Sequence, residues 1–270
     1  PFANIAHGCN SVIATKMAMS TMDYVVTESG FGSDLGAEKF LDIKCRLSGL
    51  RPKATVIVVT SQALKLHGGI VYEETKLPNL EALKAGIPNL QRHIENMKNF
   101  GQSVVVAFNR FAFDTEEEIN FLTNWCNEQG VSFAINSGFL EGGAGAAALA
   151  NEVVQAIENN PASDIKFTYD DNDYLKTKIE KIATKIYRAG KVEFSPQATK
   201  MMKKFEKHGW GNLPVCIAKT QYSFTDDAKK INAPEGFTIT IRDLVINAGA
   251  GFIVAVAGDI MRMPGLPEVP

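Results

Sequence analysis

Three short, unbroken β-branched runs constrain what this chain can fold into. They are ATVIVVT at residues 54–60, QSVVVAFN at 102–109 and VSFAI at 131–135. A strand with one wet face alternates polar and apolar residues, whereas a run that is apolar throughout has both faces covered. Helical patterns separate the runs. One spans 88–100, with Gly101 just past its end, where glycine tolerates the left-handed backbone that closes a helix. Another opens at Asp114, a candidate N-cap, with Glu116, Glu117 and Glu118 in its first turn. A third spans 143–159. Such alternation predicts a parallel sheet flanked by helices. Right-handed crossovers then gather the strand C-termini on one edge, where ligands bind in open α/β sheets.

Upstream, residues 24–27 (YVVT) read as a strand and 36–50 as a helix. The loops of interest therefore follow Thr27, Thr60, Asn109 and Ile135. Downstream the pattern changes. Long amphipathic helices are expected over 173–189 and 195–208, the second with Ser195 as N-cap and Pro196 at the first helical position. Sheet segments follow at 215–219, 237–241 and 251–257. The predicted class is α/β, a three-layer, mostly parallel sheet with a smaller C-terminal α+β domain. Soft boundaries fall near residues 90 and 190, dividing the chain into 1–90, 91–190 and 191–270.

Composition narrows the function classes. Lys plus Arg number 28 and Asp plus Glu 30, for a formal net charge of −2. Nucleic-acid binding by phosphate neutralisation needs a basic surplus, which is absent. The four cysteines form no Cys-x-x-Cys pair and the four histidines are dispersed, so there is no zinc signature. Sparse cysteines suit a reducing cytoplasm. No apolar run reaches the length of a membrane span. The chain opens PFANIAHG, without an initiator Met or targeting segment, and no Gly-x-x-x-x-Gly-Lys-Ser/Thr phosphate loop occurs. It reads as the back half of a larger enzyme, carrying half-sites.

Five loops have the residues for chemistry. Glu28–Glu38 (ESGFGSDLGAE) holds Gly30, Gly32 and Gly36 ahead of a helix, which suits either an anion cradle or a tight turn. HGCNS at 7–11 offers His7 and Asn10 to an anion, or Asn10 and Ser11 as a helix cap. Lys65 and His67 lie close to Gly68-Gly69 just beyond a strand, so Lys65 serves a phosphate or is a surface lysine. NRFAFDT at 109–115 and SGFLEGG at 137–143 place Phe111 and Phe139 just past neighbouring strands. Those rings either pack in the core or sandwich a flat heterocycle. Lys219–Ser223 and Arg242-Asp243 sit close to apolar strands and need partners; a buried Arg242–Asp243 network bracing the sheet is the expected arrangement.

Taken in order, PFANIAHG, VVTESGFGSDLGAEKF, DIKCR, ALKLHGG, NRFAFDTEEEI, GNLPVCIAKTQYSF and GFTITIRDLVINAGAGFIVAVAGDIMRMPGLP resemble the formate–tetrahydrofolate ligases, over essentially the whole chain. The resemblance implies a P-loop NTPase-like α/β fold truncated at its N-terminus. It implies that formate attacks the γ-phosphorus of ATP, giving formyl phosphate and ADP. The N10 nitrogen of tetrahydrofolate then attacks the formyl carbon and phosphate leaves. It further implies Mg²⁺ on the nucleotide, K⁺ or NH4⁺ as activator, a homotetramer, and a partnership with the missing N-terminal half. By resemblance Leu35 and Gly36 offer backbone groups to formyl phosphate, and Phe31 shapes the folate end. Phe111 and Phe139 clamp the pterin above Ile135; His7, Asn10, Gly30, Gly32 and Lys65 are further anion candidates. Two residues depart from the family pattern: Phe139 stands where Trp is usual, and Gln62 where Arg is usual, losing a charged fork. The alternative is a non-catalytic folate- or nucleotide-binding, or oligomerisation, fragment.

Overall fold

A computed structural model describes residues 3–260. Pro1 and Phe2 of the first motif and residues 261–267 of the last lie outside the described residues. The chain divides into two compact units. One is Arg51–Lys166; the other joins the chain before residue 51 to the chain after residue 166. These cuts fall elsewhere than residues 90 and 190, because the 55–59 strand pairs with the strands that follow it.

In Arg51–Lys166, β1 (Thr55–Val59), β2 (Val104–Asn109) and β3 (Ser132–Asn136) form a parallel sheet in the order β1-β2-β3. Register places Phe108 beside Ile135 and Asn109 beside Asn136. Residues 104–108 of β2 are buried, as its apolar run predicts. β1 corrects the expectation of two covered faces: it is an edge strand, and Val58 is 59% exposed. An unbroken apolar run cannot by itself separate a central strand from an edge.

Helix Leu80–Asn99 begins more than two turns before the expected start and carries Pro88 inside it. Asn79 caps it, its side chain accepting the Ala82 N–H at 2.9 Å. Buried Leu83, Ile87, Leu90, Ile94 and Met97 recur at helical spacing and anchor it through the proline. Helix Ser61–His67 crosses it backbone against backbone. A Cβ on Gly86 would overlap the Leu64 carbonyl, and one on Gly68 the Ala82 carbonyl. Gly86→Ala is therefore expected to lower stability by about 1–3 kcal/mol, the usual cost of overpacking. An unchanged thermal midpoint would contradict this close crossing.

The other unit holds a mixed sheet of β4 (Lys191–Phe194), β5 (Val215–Ala218), β6 (Thr238–Asn247) and β7 (Phe252–Ala257), in the order β4-β6-β7-β5. β4–β6 and β5–β7 are parallel; β6–β7 is an antiparallel hairpin bulged between Ile241 and Asp243. β5 and β7 are buried throughout and form the core. Helices Leu175–Lys185 and Pro196–Lys207 accompany the sheet, the second capped by Ser195 as expected. β4 is absent from the sequence reading, and residues 24–27 belong to no strand of either sheet. The fold of the described residues is mixed α/β, with one parallel and one mixed sheet and no barrel among them. No described helix is long and apolar enough to cross a membrane.

Candidate functional site

In Arg51–Lys166 the β2 and β3 ends carry the two aromatic loops. Phe111 is half-buried and lies flat on Phe113, ring centroids 5.3 Å apart at 7°. Phe139 sits on the short helix Gly138–Glu141 and is 89% exposed. Asn109 and Asn136 join the two strand ends: Asn136 Nδ2 donates to Asn109 Oδ1 at 2.8 Å. Ile135 is half-buried, two residues before the Phe139 loop begins.

Asp114 is not the helix cap. Thr115 is, and it forms a reciprocal capping box with Glu118. Asp114 is buried instead; its Oδ2 accepts the Phe111 N–H at 2.7 Å and its Oδ1 accepts the Ser61 hydroxyl. The carboxylate thus ties the Phe111 loop to the first residue of helix Ser61–His67. Acceptance of a backbone N–H by a side chain three residues on leaves no mark in hydrophobic spacing, so only the contacts reveal it.

Lys65 is neither a surface lysine nor a free anion ligand. It is fully buried, its ammonium 2.7 Å from Glu118 Oε1 and 2.9 Å from the Leu77 carbonyl. Burial alone would raise the Glu118 carboxyl, but Lys65 and the Asn79 N–H hold it below its ordinary value. Gln62 donates to Thr75 Oγ1 at 3.2 Å, a structural role that needs no charge.

In the other unit the glycine loop leads into a wide, π-helical stretch over Ser33–Ala37 and Phe40–Cys45. Phe31 is 56% exposed and holds φ 53°, an uncommon backbone for a bulky residue. Gly32 caps the stretch: its carbonyl accepts the N–H groups of Leu35 at 3.1 Å and Gly36 at 3.0 Å. Those two N–H groups are thus occupied within the chain, contrary to their expected freedom for an anion. Gly30 takes φ 72° and Gly36 lies against it. Asp34 pairs with Lys219 at 2.6 Å, and Lys219 also donates to the Thr220 and Ser223 carbonyls. The polar 219–223 segment therefore anchors the glycine loop's helix. Sequence reasoning missed this pair, because its members lie in distant motifs.

Three acids of that stretch, Asp34, Glu38 and Asp42, are buried at i, i+4 spacing. Both Glu38 oxygens and Asp42 Oδ2 find no donor, acceptor facing acceptor. One shared proton resolves this. Burial raises both carboxyls, but Asp42 Oδ1 accepts the Thr168 N–H at 2.9 Å and faces Arg46, so the proton resides on Glu38. The sign follows: Glu38 is raised in the folded state, so its contribution is present below the unfolded value of about 4.3 and lost as pH rises through the folded one. Glu38→Gln should flatten that decline and hold stability at neutral pH. A melt series from pH 4 to 8 with parallel curves for the two proteins would contradict the shared proton.

Burial holds the His7 imidazole below its ordinary value, with the Lys44 and Lys39 charges adding to the effect, and the ring stands edge-on to Phe252 at 5.4 Å. Asn10 accepts from Thr27 Oγ1 through its side chain and from Lys44 Nζ through its carbonyl. Ser11, not Asn10, caps helix Val12–Thr21. Arg242 and Asp243 do not form the expected buried network. Arg242 is half-exposed and donates to the Ile260 carbonyl, while Asp243 accepts its neighbour's N–H at the bulge. Among the described residues no group of three or more His, Cys, Asp or Glu side chains is placed to hold a metal ion.

Fold and loops together define the class: an α/β protein whose parallel strands end in aromatic loops and whose other unit carries a tight glycine-rich loop. The chain belongs to the formate–tetrahydrofolate ligase family, whose profile matches residues 1–270. It is similar to the formate–tetrahydrofolate ligase of Bacteroides fragilis, at 57% identity over 270 residues, covering 100% of this chain and 49% of that protein. The ligases of Campylobacter concisus and Symbiobacterium thermophilum are 56% and 54% identical over 271 residues, covering 49% and 48% of those proteins. The chain spans about half the length of the curated relatives it matches.

Proposed function

We propose that this chain is the C-terminal, folate-binding part of an ATP-dependent ligase that makes 10-formyltetrahydrofolate from formate and tetrahydrofolate through formyl phosphate. One observation carries the reading: Phe111 and Phe139 follow adjacent strand ends that a hydrogen bond between side-chain amides holds together. Two aromatic faces so placed suit a flat heterocycle such as a pterin. Phe139 offers less ring area than Trp and no indole N–H, so it stacks without donating. Ile135 forms the apolar floor. Leu35 and Gly36 serve formyl phosphate and Phe31 shapes the folate end; an anion at Leu35 and Gly36 competes with the Gly32 carbonyl for their N–H groups. His7, Asn10, Gly30 and Gly32 remain candidates for anion contacts by side chain or backbone.

The residues present do not fit Mg²⁺–ATP. The buried carboxylates Asp34 and Glu118 are matched to Lys219 and Lys65. We assign ATP, Mg²⁺ and the phosphate loop to the remaining half of the ligase; activation by K⁺ or NH4⁺ and assembly as a homotetramer belong to the reading of the whole enzyme. Four free cysteines suit a cytoplasmic setting, and burial pushes the Cys126 and Cys216 thiols up to about 12, keeping them inert. The test is complementation. Mixed with the N-terminal half of a relative ligase, this chain should restore ATP- and formate-dependent 10-formyltetrahydrofolate synthesis that neither piece gives alone. A mixture that forms a complex yet makes no product overturns the catalytic reading.

A further inference from the structure

The two aromatic loops are joined by more than sequence proximity. Asn109 and Asn136 stand side by side in register at the ends of β2 and β3. Asn136 uses each end of its amide differently. Its Nδ2 donates to Asn109 Oδ1 at 2.8 Å, and its Oδ1 accepts the N–H of Gly138 at 3.1 Å. Gly138 is the first residue of the helix that carries Phe139, and Asn109 lies two residues before Phe111. The Asn136 carbonyl also accepts the Arg110 N–H at 3.0 Å, inside the Phe111 loop. One residue therefore contacts both loops.

The fit at this junction is close. A Cβ on Gly138 would come within 2.9 Å of Asn136 Oδ1. Neither asparagine is needed to build the sheet, whose ladder is made by backbone groups. A hydrocarbon side chain at the strand end would complete the strand equally well, but it would leave Gly138 without its acceptor and the strand ends unlinked.

We propose that Asn136, acting through Asn109 and Gly138, is a positioning residue that fixes the separation of the Phe111 and Phe139 rings and so presets the clamp for tetrahydrofolate. This rests on the reading of the two rings as the folate clamp. Presetting a site removes ordering cost at binding, so its loss shows as weaker affinity without loss of a ligand contact. The coupling is also non-additive: once the Phe139 ring is gone, its position no longer matters.

The experiment is a double-mutant cycle on tetrahydrofolate affinity, read by calorimetry, with thermal melts in parallel. Phe111→Ala and Phe139→Ala each weaken binding if the clamp exists. Asn136→Ala should weaken binding about fivefold in the parent background and little in the Phe139→Ala background. Asn136→Asp should recover most of the loss, because the Asn109 amide can turn to donate to the carboxylate while Gly138 keeps its acceptor. Should Asn136→Ala fail to fold, Asn109→Ala breaks the same cross-strand bond from the other side and should show the same non-additivity. A normal response to both phenylalanine variants with additive asparagine effects overturns the proposal and leaves the clamp standing. Unchanged affinity in both phenylalanine variants overturns the clamp and the proposal with it.

Discussion

Gly36→Ala should destabilise the protein by at least about 3 kcal/mol, the upper end of overpacking costs. The added Cβ would overlap two carbonyl oxygens, those of Gly30 and Ser29. Both are backbone atoms of the same tight loop, so no side-chain rotation relieves the clash. For a chain of this length the thermal midpoint should fall by about 6–12 °C. Gly30→Ala is the control. Its Cβ would have room, 3.9 Å from Cys9 Sγ, and only the positive φ opposes it, a cost of about 1–2 kcal/mol. Equal losses for the two variants would contradict the contact between Gly36 and the loop before it.

The second large effect is expected at Lys65. Lys65→Met leaves Glu118 buried and without its cation, at a cost of about 3–5 kcal/mol at neutral pH. The pH dependence has a defined sign. Glu118 is held below its ordinary value in the folded protein, so its contribution is present above the unfolded value of about 4.3 and lost as pH falls through the folded one. The deficit of Lys65→Met should therefore be largest at pH 7 and shrink towards pH 4, where the unpaired carboxyl can protonate. Lys65→Met combined with Glu118→Gln should recover part of the loss, because the neutral amide needs no cation and its oxygen still accepts the Asn79 N–H. Denaturant melts at both pH values measure this. A deficit independent of pH would mean the ion pair does not hold this unit together.

The parallel sheet of Arg51–Lys166 was readable because burial on both faces writes itself into composition. QSVVVAFN suits a covered strand, and β2 occupies it. The family resemblance was readable from the same loops, and Phe111 and Phe139 follow β2 and β3 in the fold. Local rules failed where tertiary contacts outweighed them. Pro88 sits inside a helix because five buried apolar side chains hold that helix to the core. Asp114 looked like a cap, but Thr115 competes for that place one residue later, and Asp114 finds Ser61 and the Phe111 N–H instead. Lys65 looked available until its partner, Glu118, arrived from a different helix. Buried charge is the least visible feature of all. Asp34, Glu38 and Asp42 have the spacing of a solvated helical face, and only the fold brings Lys219 and Thr168 to them. β4, four residues with alternating burial, is too short and too polar to announce itself.

The measurement that tests the central claim most directly is a calorimetric titration of the chain and its Phe111→Ala variant with tetrahydrofolate. Stacking on one aromatic face contributes about 1–3 kcal/mol. The account predicts saturable binding by the parent chain and an affinity about tenfold weaker in the variant, with the thermal midpoint little changed. Equal affinity in the two proteins, or no binding by a folded parent chain, would contradict it.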